Sequence, residues 1–258
     1  MVKIEEDKYW ELIPFIDKAK INTFFARSVL TQDVNGAVYA DKDQNASAWY
    51  IVHDYGMTLL LGDGTNQQFN KELLAYFKGI KKDQWVQACS EDWYPFMSEL
   101  VNASLCDQYS RVNFKFSKEK FGEIDKGIDY EAYDIRRTPI SMIDTMKGLV
   151  VPNDFWKKEY YKKCISFTVY VDGQPASTAF ASFIHDDNLE IGIETASWCR
   201  GKGFAKVACG ALINYCIQNH LEPHWSCHYE NIGSLNLAQK LGFEKIKIIP
   251  YYHIISAK

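Results

Sequence analysis

A chain of 258 residues, 47% apolar and 24% charged, is long enough for one large domain or two small ones and has the make-up of an ordinary globular protein. Its formal net charge of −4 argues against a nucleic-acid platform, which would carry a basic face or stripe, so no nucleic-acid partner is expected. No stretch reaches the ~20 apolar residues that span a bilayer, and Met1-Val2-Lys3-Ile4-Glu5-Glu6-Asp7-Lys8 has no apolar signal core, so a cytoplasmic protein without membrane attachment is expected. Seven cysteines, none in a Cys-x-x-Cys pair, read as reduced thiols and give no metal-ligand pattern.

Tyr9 to about Leu30 reads as a helix, with Pro14 near its start or at a break. Ala48–Val52 and Met57–Leu61, flanking Asp54-Tyr55-Gly56, give a hairpin. Between Gln67 and Lys78, Phe69, Leu73, Leu74 and Phe77 fall on one helix face. Trp85–Cys89 reads as a short strand, and Ser90 can cap a helix toward Leu100. Arg111–Phe116 alternates like a half-buried strand. The charged, glycine-containing stretch Ser117–Asp129 reads as a linker, which sets the expected domains at 1–127 and 128–258.

In the second half Tyr130–Arg136 reads as a strand, followed by helices from Pro139 or Ser141 toward Gly148 and over 155–163. Ile165–Val171, Ala176–Ile184 and Leu189–Thr195, joined by Asp172-Gly173 and Asp186-Asp187-Asn188, form an antiparallel meander. Phe204, Val207, Ala208, Ala211, Leu212, Tyr215 and Cys216 follow a helical period over 203–219. A strand near His224–Cys227, a helix over Ser234–Leu241 and a strand over Phe243–Ile249 complete the order.

The turn between the meander and the long helix carries the chemistry. The first amides of a helix have no internal partner, and the helix dipole adds partial positive charge there. Gly201 and Gly203 let backbone approach a large anion, and Arg200, Lys202 and Lys206 add cations. A dinucleotide fingerprint fails because Lys206 stands where its third glycine belongs, and a P-loop is absent.

Arg200-x-x-Gly203-x-Ala205 resembles the pyrophosphate motif Gln/Arg-x-x-Gly-x-Gly/Ala of the GCN5-related N-acetyltransferase family. Asn231-Ile-Gly-Ser234-Leu-Asn-Leu237-Ala238-Gln-Lys240-Leu241-Gly242-Phe243 looks like that family's next signature, so the resemblance covers the C-terminal half. It implies an α/β (α+β) fold with a mixed, mostly antiparallel twisted sheet flanked by helices, preceded here by a smaller α/β domain. It implies acetyl-CoA as cofactor, with the pyrophosphate on Arg200, Gly201, Lys202, Gly203, Phe204 and Ala205. The pantetheine arm would lie along Ile193 and Thr195 and be met by Asn231 and Ser234.

The implied reaction is attack by an amine on a thioester, which needs a base. Glu190 and Glu194, four apart on one strand, share a face and are the candidate bases. Many family members carry a tyrosine seven residues after the position of Asn231, as a general acid. Ala238 stands there, leaving Tyr229, Tyr251 and Tyr252 as replacements. The leading reading is an N-acetyltransferase acting on a small molecule or an exposed amine, in an unassigned oligomeric state. The alternative is a non-catalytic acyl-CoA-binding sensor or regulatory module. A two-domain aminoacyl transferase using charged tRNA is disfavoured by the acidic balance. The element order of residues 1–127 faintly echoes that of the second domain, which leaves a degenerate duplication open; without an Arg-x-x-Gly-x-Gly/Ala loop, no second cofactor is expected there.

Overall fold

The computed structural model describes residues 1–138 and 164–256. The helices expected from Pro139 or Ser141 toward Gly148 and over 155–163 lie outside the described residues. The chain divides into two compact units: unit 1 joins Met1–Arg111 to Ile248–Lys258, and unit 2 is Val112–Lys247.

In unit 1 the helix expected over Tyr9–Leu30 is broken into a 3-10 stretch Glu6–Leu12, a short α1 (Ile13–Ile16) and α2 (Phe24–Leu30). Pro14 opens α1, where its missing N–H is not needed. The Asn22 side chain accepts the Phe24 N–H (3.0 Å) where α2 begins. Strand β1 (Val2–Lys3) pairs with β2 (Gly36–Ala40), which had no signal in the sequence reading. Strand β2 continues antiparallel through β3 (Ala48–His53) to β4 (Met57–Gly62), the expected hairpin. Helix α3 (Gln67–Phe77) then leads to β5 (Gln84–Ala88), which runs parallel to β4. Helix α4 (Tyr94–Asn102) follows. Phe69, Leu73 and Phe77 from α3 and Met97 and Leu100 from α4 bury against Tyr50, Leu60 and Val86 of the sheet.

Two strands carry the chain between units: it enters unit 2 along β6 (Asp107–Phe116) and returns along β13 (Phe243–Ile254). In unit 1, Tyr252 and Ile254 of β13 pair with Val86 and Gln84 and join that core. The expected division at 127/128 therefore differs from the compact units at both places. Ser117–Asp129 is no linker: it contains α5 (Lys118–Asp125), capped by Ser117, whose side chain accepts the Lys120 N–H. Phe121 of α5 is 1% exposed in the core of unit 2.

The core of unit 2 is built on the meander. Strand β7 (Asp134–Arg137) follows a 3-10 turn Tyr130–Ala132, so the expected strand Tyr130–Arg136 is shorter than its pattern suggested. Strands β8 (Ser166–Val171), β9 (Gln174–His185) and β10 (Asn188–Thr195) pair antiparallel as expected. Helix α6 (Phe204–Gln218) lays Val207, Ala208, Leu212 and Cys216 against Val169, Ala179, Leu189 and Ile191. Its buried surface is wider than one stripe, since Cys209, Gly210 and Ile213 are buried too. At Gly210 the close neighbour is Tyr130: its hydroxyl would lie 2.3 Å from a β-carbon there, so a side chain at 210 would have to push the Tyr130 ring end aside. The Tyr130 hydroxyl donates to Asp125, and the Asn214 amide donates to the same carboxylate (2.9 Å), which ties α5 to α6.

The single strand expected at His224–Cys227 is two. Strand β11 (Glu222–His224) pairs parallel with β10, giving the order β11-β10-β9-β8-β7. Strand β12 (Ser226–His228) lies instead beside β6. Trp225 marks the break: its carbonyl accepts the Phe114 N–H (3.1 Å), and its ring is buried in the core. Helix α7 (Ile232–Gln239) then leads to β13. Among the described residues no helix is long and apolar enough to cross a membrane.

Candidate active site

Pairing of β10 with β11 stops at Glu190↔His224, so the last residues of β10, from Ile191 to Thr195, extend past the parallel partner. The gap opens because β11 ends at His224 and β12 turns to a different sheet. A cleft of about 790 Å³ occupies this end of unit 2, a volume typical of a ligand site.

One wall is the end of β10, with Ile193, Glu194 and Thr195. The floor is the turn and first residues of α6: Arg200, Gly201, Gly203, Phe204 and Ala205. Helix α7 closes the far side with Asn231 and Ser234. Ten of the twelve residues singled out in the sequence thus line one cleft, and Lys202 and Glu190 do not. Lys206, named in the sequence as a cation of the turn, lines it too, as do Cys199, Gly233, Asn236, Leu237 and Lys240, which were not assigned to the site. The last four follow a helical period on α7, so the face that carries Asn231 could have been extended to find them.

Gly203 is the N-cap of α6, at φ 86°, with no side-chain cap. A β-carbon built there meets nothing within 4 Å, so the N-cap residue itself borders open space. An uncapped helix start with cations nearby suits a phosphate. The guanidinium of Arg200 is steadied by its Nε–H, which donates to the Thr195 carbonyl (3.2 Å). At α7 the Asn231 side chain accepts the Ser234 N–H (3.0 Å), so Asn231 is also a helix cap. The Ser234 hydroxyl receives the Trp225 indole N–H (3.1 Å).

The two candidate bases have separate environments. Glu190 lies where β10 is still paired; it is 7% exposed and accepts the Ser226 hydroxyl (2.8 Å). Glu194 lies beyond the pairing and faces the cleft. Burial raises the pKa of Glu194 above the usual carboxylate value, against an opposing pull from the Arg200 charge. The tyrosines also separate. Ala238 is fully buried in the core, while its neighbour Leu237 lines the cleft. Tyr251 stacks on Trp85 and Tyr252 sits in the core of unit 1, its hydroxyl pushed up to about 12 by burial. Tyr229 is 42% exposed beside β12, under the Lys245 ammonium (5.7 Å from the ring centroid).

A family model described as GNAT acetyltransferase matches residues 16–252 of this chain. The chain belongs to the GNAT acetyltransferase family. It is an N-acetyltransferase, and its family uses acetyl-CoA. The match corrects the expectation that the resemblance stops at the C-terminal half, since it takes in most of unit 1. Uncharacterized N-acetyltransferase YdfB of Bacillus subtilis is 24% identical over 259 residues, covering 97% of each chain. Among solved structures, a GCN5-related N-acetyltransferase-like protein from Streptococcus suis is similar with a TM-score of 0.72, at 19% identity, over 96% of this chain and 99% of that one. A GNAT-family acetyltransferase from Colwellia psychrerythraea is similar with a TM-score of 0.64, at 14% identity, over 98% of both chains.

Proposed function

We propose that the unit 2 cleft binds acetyl-CoA and that Glu194 is the base for acetylation of an amine, on a small molecule or an exposed amine of a larger one. The observation that carries the reading is the open helix start at Gly203, which shares one cleft with the end of β10 that outruns its parallel partner. The amides from Gly201 to Ala205 would hold the pyrophosphate, with Arg200 and Lys206 balancing its charge. Ile193 to Thr195 would offer backbone groups to the pantetheine arm, and Asn231 and Ser234 would flank it from α7. Bound there, acetyl-CoA supplies the acetyl group as a thioester.

The reaction joins the amine nitrogen to the acetyl carbon, breaks the carbon–sulfur bond and returns a proton to the departing sulfur. An ammonium must first lose a proton, and a carboxylate does this best when its pKa is raised toward the working pH. Glu194 meets that condition and lines the cleft. Glu190 is engaged by Ser226 away from the cleft lining and supports β10 instead. All seven cysteines are free, which fits a reducing compartment, and we assign the protein to the cytoplasm.

The test is acetyl-CoA consumption against a panel of amines, read as released thiol. Once an acceptor is found, Glu194→Gln is expected to lower turnover by about 10²–10⁴-fold while leaving coenzyme A affinity unchanged. Wild-type turnover should rise with pH through a Glu194 titration above the usual carboxylate range, because only the deprotonated form is a base. The Gln variant should lack that limb. Wild-type rates in Glu194→Gln at every pH would remove Glu194 from the role.

A further inference from the structure

Trp198 leaves 51% of its surface exposed in the turn that forms the cleft floor. A large indole facing solvent beside a binding loop calls for a reason, since tryptophan is highly buried on average. The local structure holds it out. Cys199 is fully buried, and its thiol contacts the Ala176 carbonyl (3.0 Å), which pins the 3-10 turn Ser197–Cys199 to β9. Cys199, Arg200, Gly201 and Gly203 line the cleft, whereas Trp198 and Lys202 do not. These two meet each other instead, with the Lys202 ammonium 6.0 Å from the indole centroid. The turn therefore presents Cys199, Arg200 and its two glycines to the cleft and an aromatic–cation pair outside it.

We propose that Trp198 and Lys202 form a subsite for the 3′-phosphoadenosine end of coenzyme A, the indole stacking on the purine and the ammonium pairing with the ribose 3′-phosphate. This rests on the cofactor site proposed above and adds to it the recognition of the far end. The pyrophosphate joins two unlike halves. The narrow pantetheine arm suits the free edge of β10, so the nucleoside half must leave the loop on the other side. That half is a flat ring with an extra phosphate. A ring needs an aromatic face, and its phosphate needs a cation not already used inside the cleft. Trp198 supplies the first and Lys202 the second. This gives Lys202 a role distinct from the pyrophosphate contact that the sequence suggested.

Calorimetry on the full chain tests this with three probes: coenzyme A, 3′-dephospho-coenzyme A, and 4′-phosphopantetheine, which lacks the nucleoside. Trp198→Ala should weaken the first two by about 5- to 20-fold, the low end of base–aromatic stacking, and leave the third unchanged. Trp198→Phe should recover part of the loss. Lys202→Ala should weaken coenzyme A but not its dephospho form. If wild type binds coenzyme A and Trp198→Ala weakens all three probes alike, or none, the subsite is overturned while the cofactor site stands. If wild type binds no probe, the cofactor site itself fails.

Discussion

Units 1 and 2 pass through the same succession of elements and end up differently equipped. Each has an antiparallel meander, β2-β3-β4 in one and β8-β9-β10 in the other. Each then has a helix, α3 or α6, and a strand parallel to the last meander strand, β5 or β11. In unit 1, however, β4 and β5 pair from Met57↔Trp85 through Leu60↔Ala88, and the Cys89 N–H continues to the Leu60 carbonyl (2.9 Å). In unit 2 the corresponding pairing ends at Glu190.

The helix starts differ as sharply. Asn66 caps α3 with its own side chain, which accepts the Phe69 N–H (3.0 Å), and its amide group donates to Asp41 (3.0 Å). Asp63 accepts from the Thr65 amide and hydroxyl, and these bonds hold its carboxyl below the usual range. Carboxylates and a side-chain cap thus occupy the place where an anion would bind. Helix α6 begins at an uncapped glycine among cations. With the same topology, a gap is left only where the parallel pair is short, and a helix start is left free for an anion only where nothing from the chain caps it.

The largest expected effect concerns where unit 2 begins. Phe121→Ala should cost about 3–5 kcal/mol of stability, as for other buried phenylalanines, measured by denaturant unfolding. A loss near zero would detach α5 from unit 2 and restore the linker reading of Ser117–Asp129.

Next comes the open helix start. Gly203→Glu should weaken coenzyme A binding by at least about 100-fold, since like charges brought together at an interface cost several kcal/mol. The strain of a side chain at φ 86° costs about 1–2 kcal/mol, so a circular-dichroism melt should still show a folded protein. Unchanged calorimetric affinity would dissolve the contrast between α3 and α6.

The smallest effect lies in unit 1. Asn66→Ala removes a cap and should lower stability by about 1 kcal/mol. Coenzyme A affinity should not move, because the proposed cofactor cleft lies in the other unit. A fall in affinity would make α3 a second binding element and erase the difference between the units.

The meander of unit 2, the glycine turn and the long helix were legible because their signals are local: alternation, Asp-Gly and Asp-Asn turns, and a helical period. The α3 pattern was legible for the same reason. Arg200, Gly203 and Asn231 could be named as partners in one site because two stretches of the chain resemble successive motifs of the GNAT family, in the family's order and separation. What the sequence could not decide depended on distant neighbours. The role of α5 was hidden because Phe121 and Ile124 are its only apolar residues in a charged stretch, and the burial of Phe121 depends on a core assembled from other segments. Glu190 and Glu194 look equivalent on a strand of period two. Only the point where β11 stops pairing gives one a hydroxyl partner and the other an open cleft. Tyr252, a plausible acid in one dimension, belongs to unit 1 because the last strand returns there. Periodicity reports which face a residue presents, and local motifs report what a turn can bind. Which residues share a site is set by strand pairing between segments far apart in the chain, and that is a property of the folded structure.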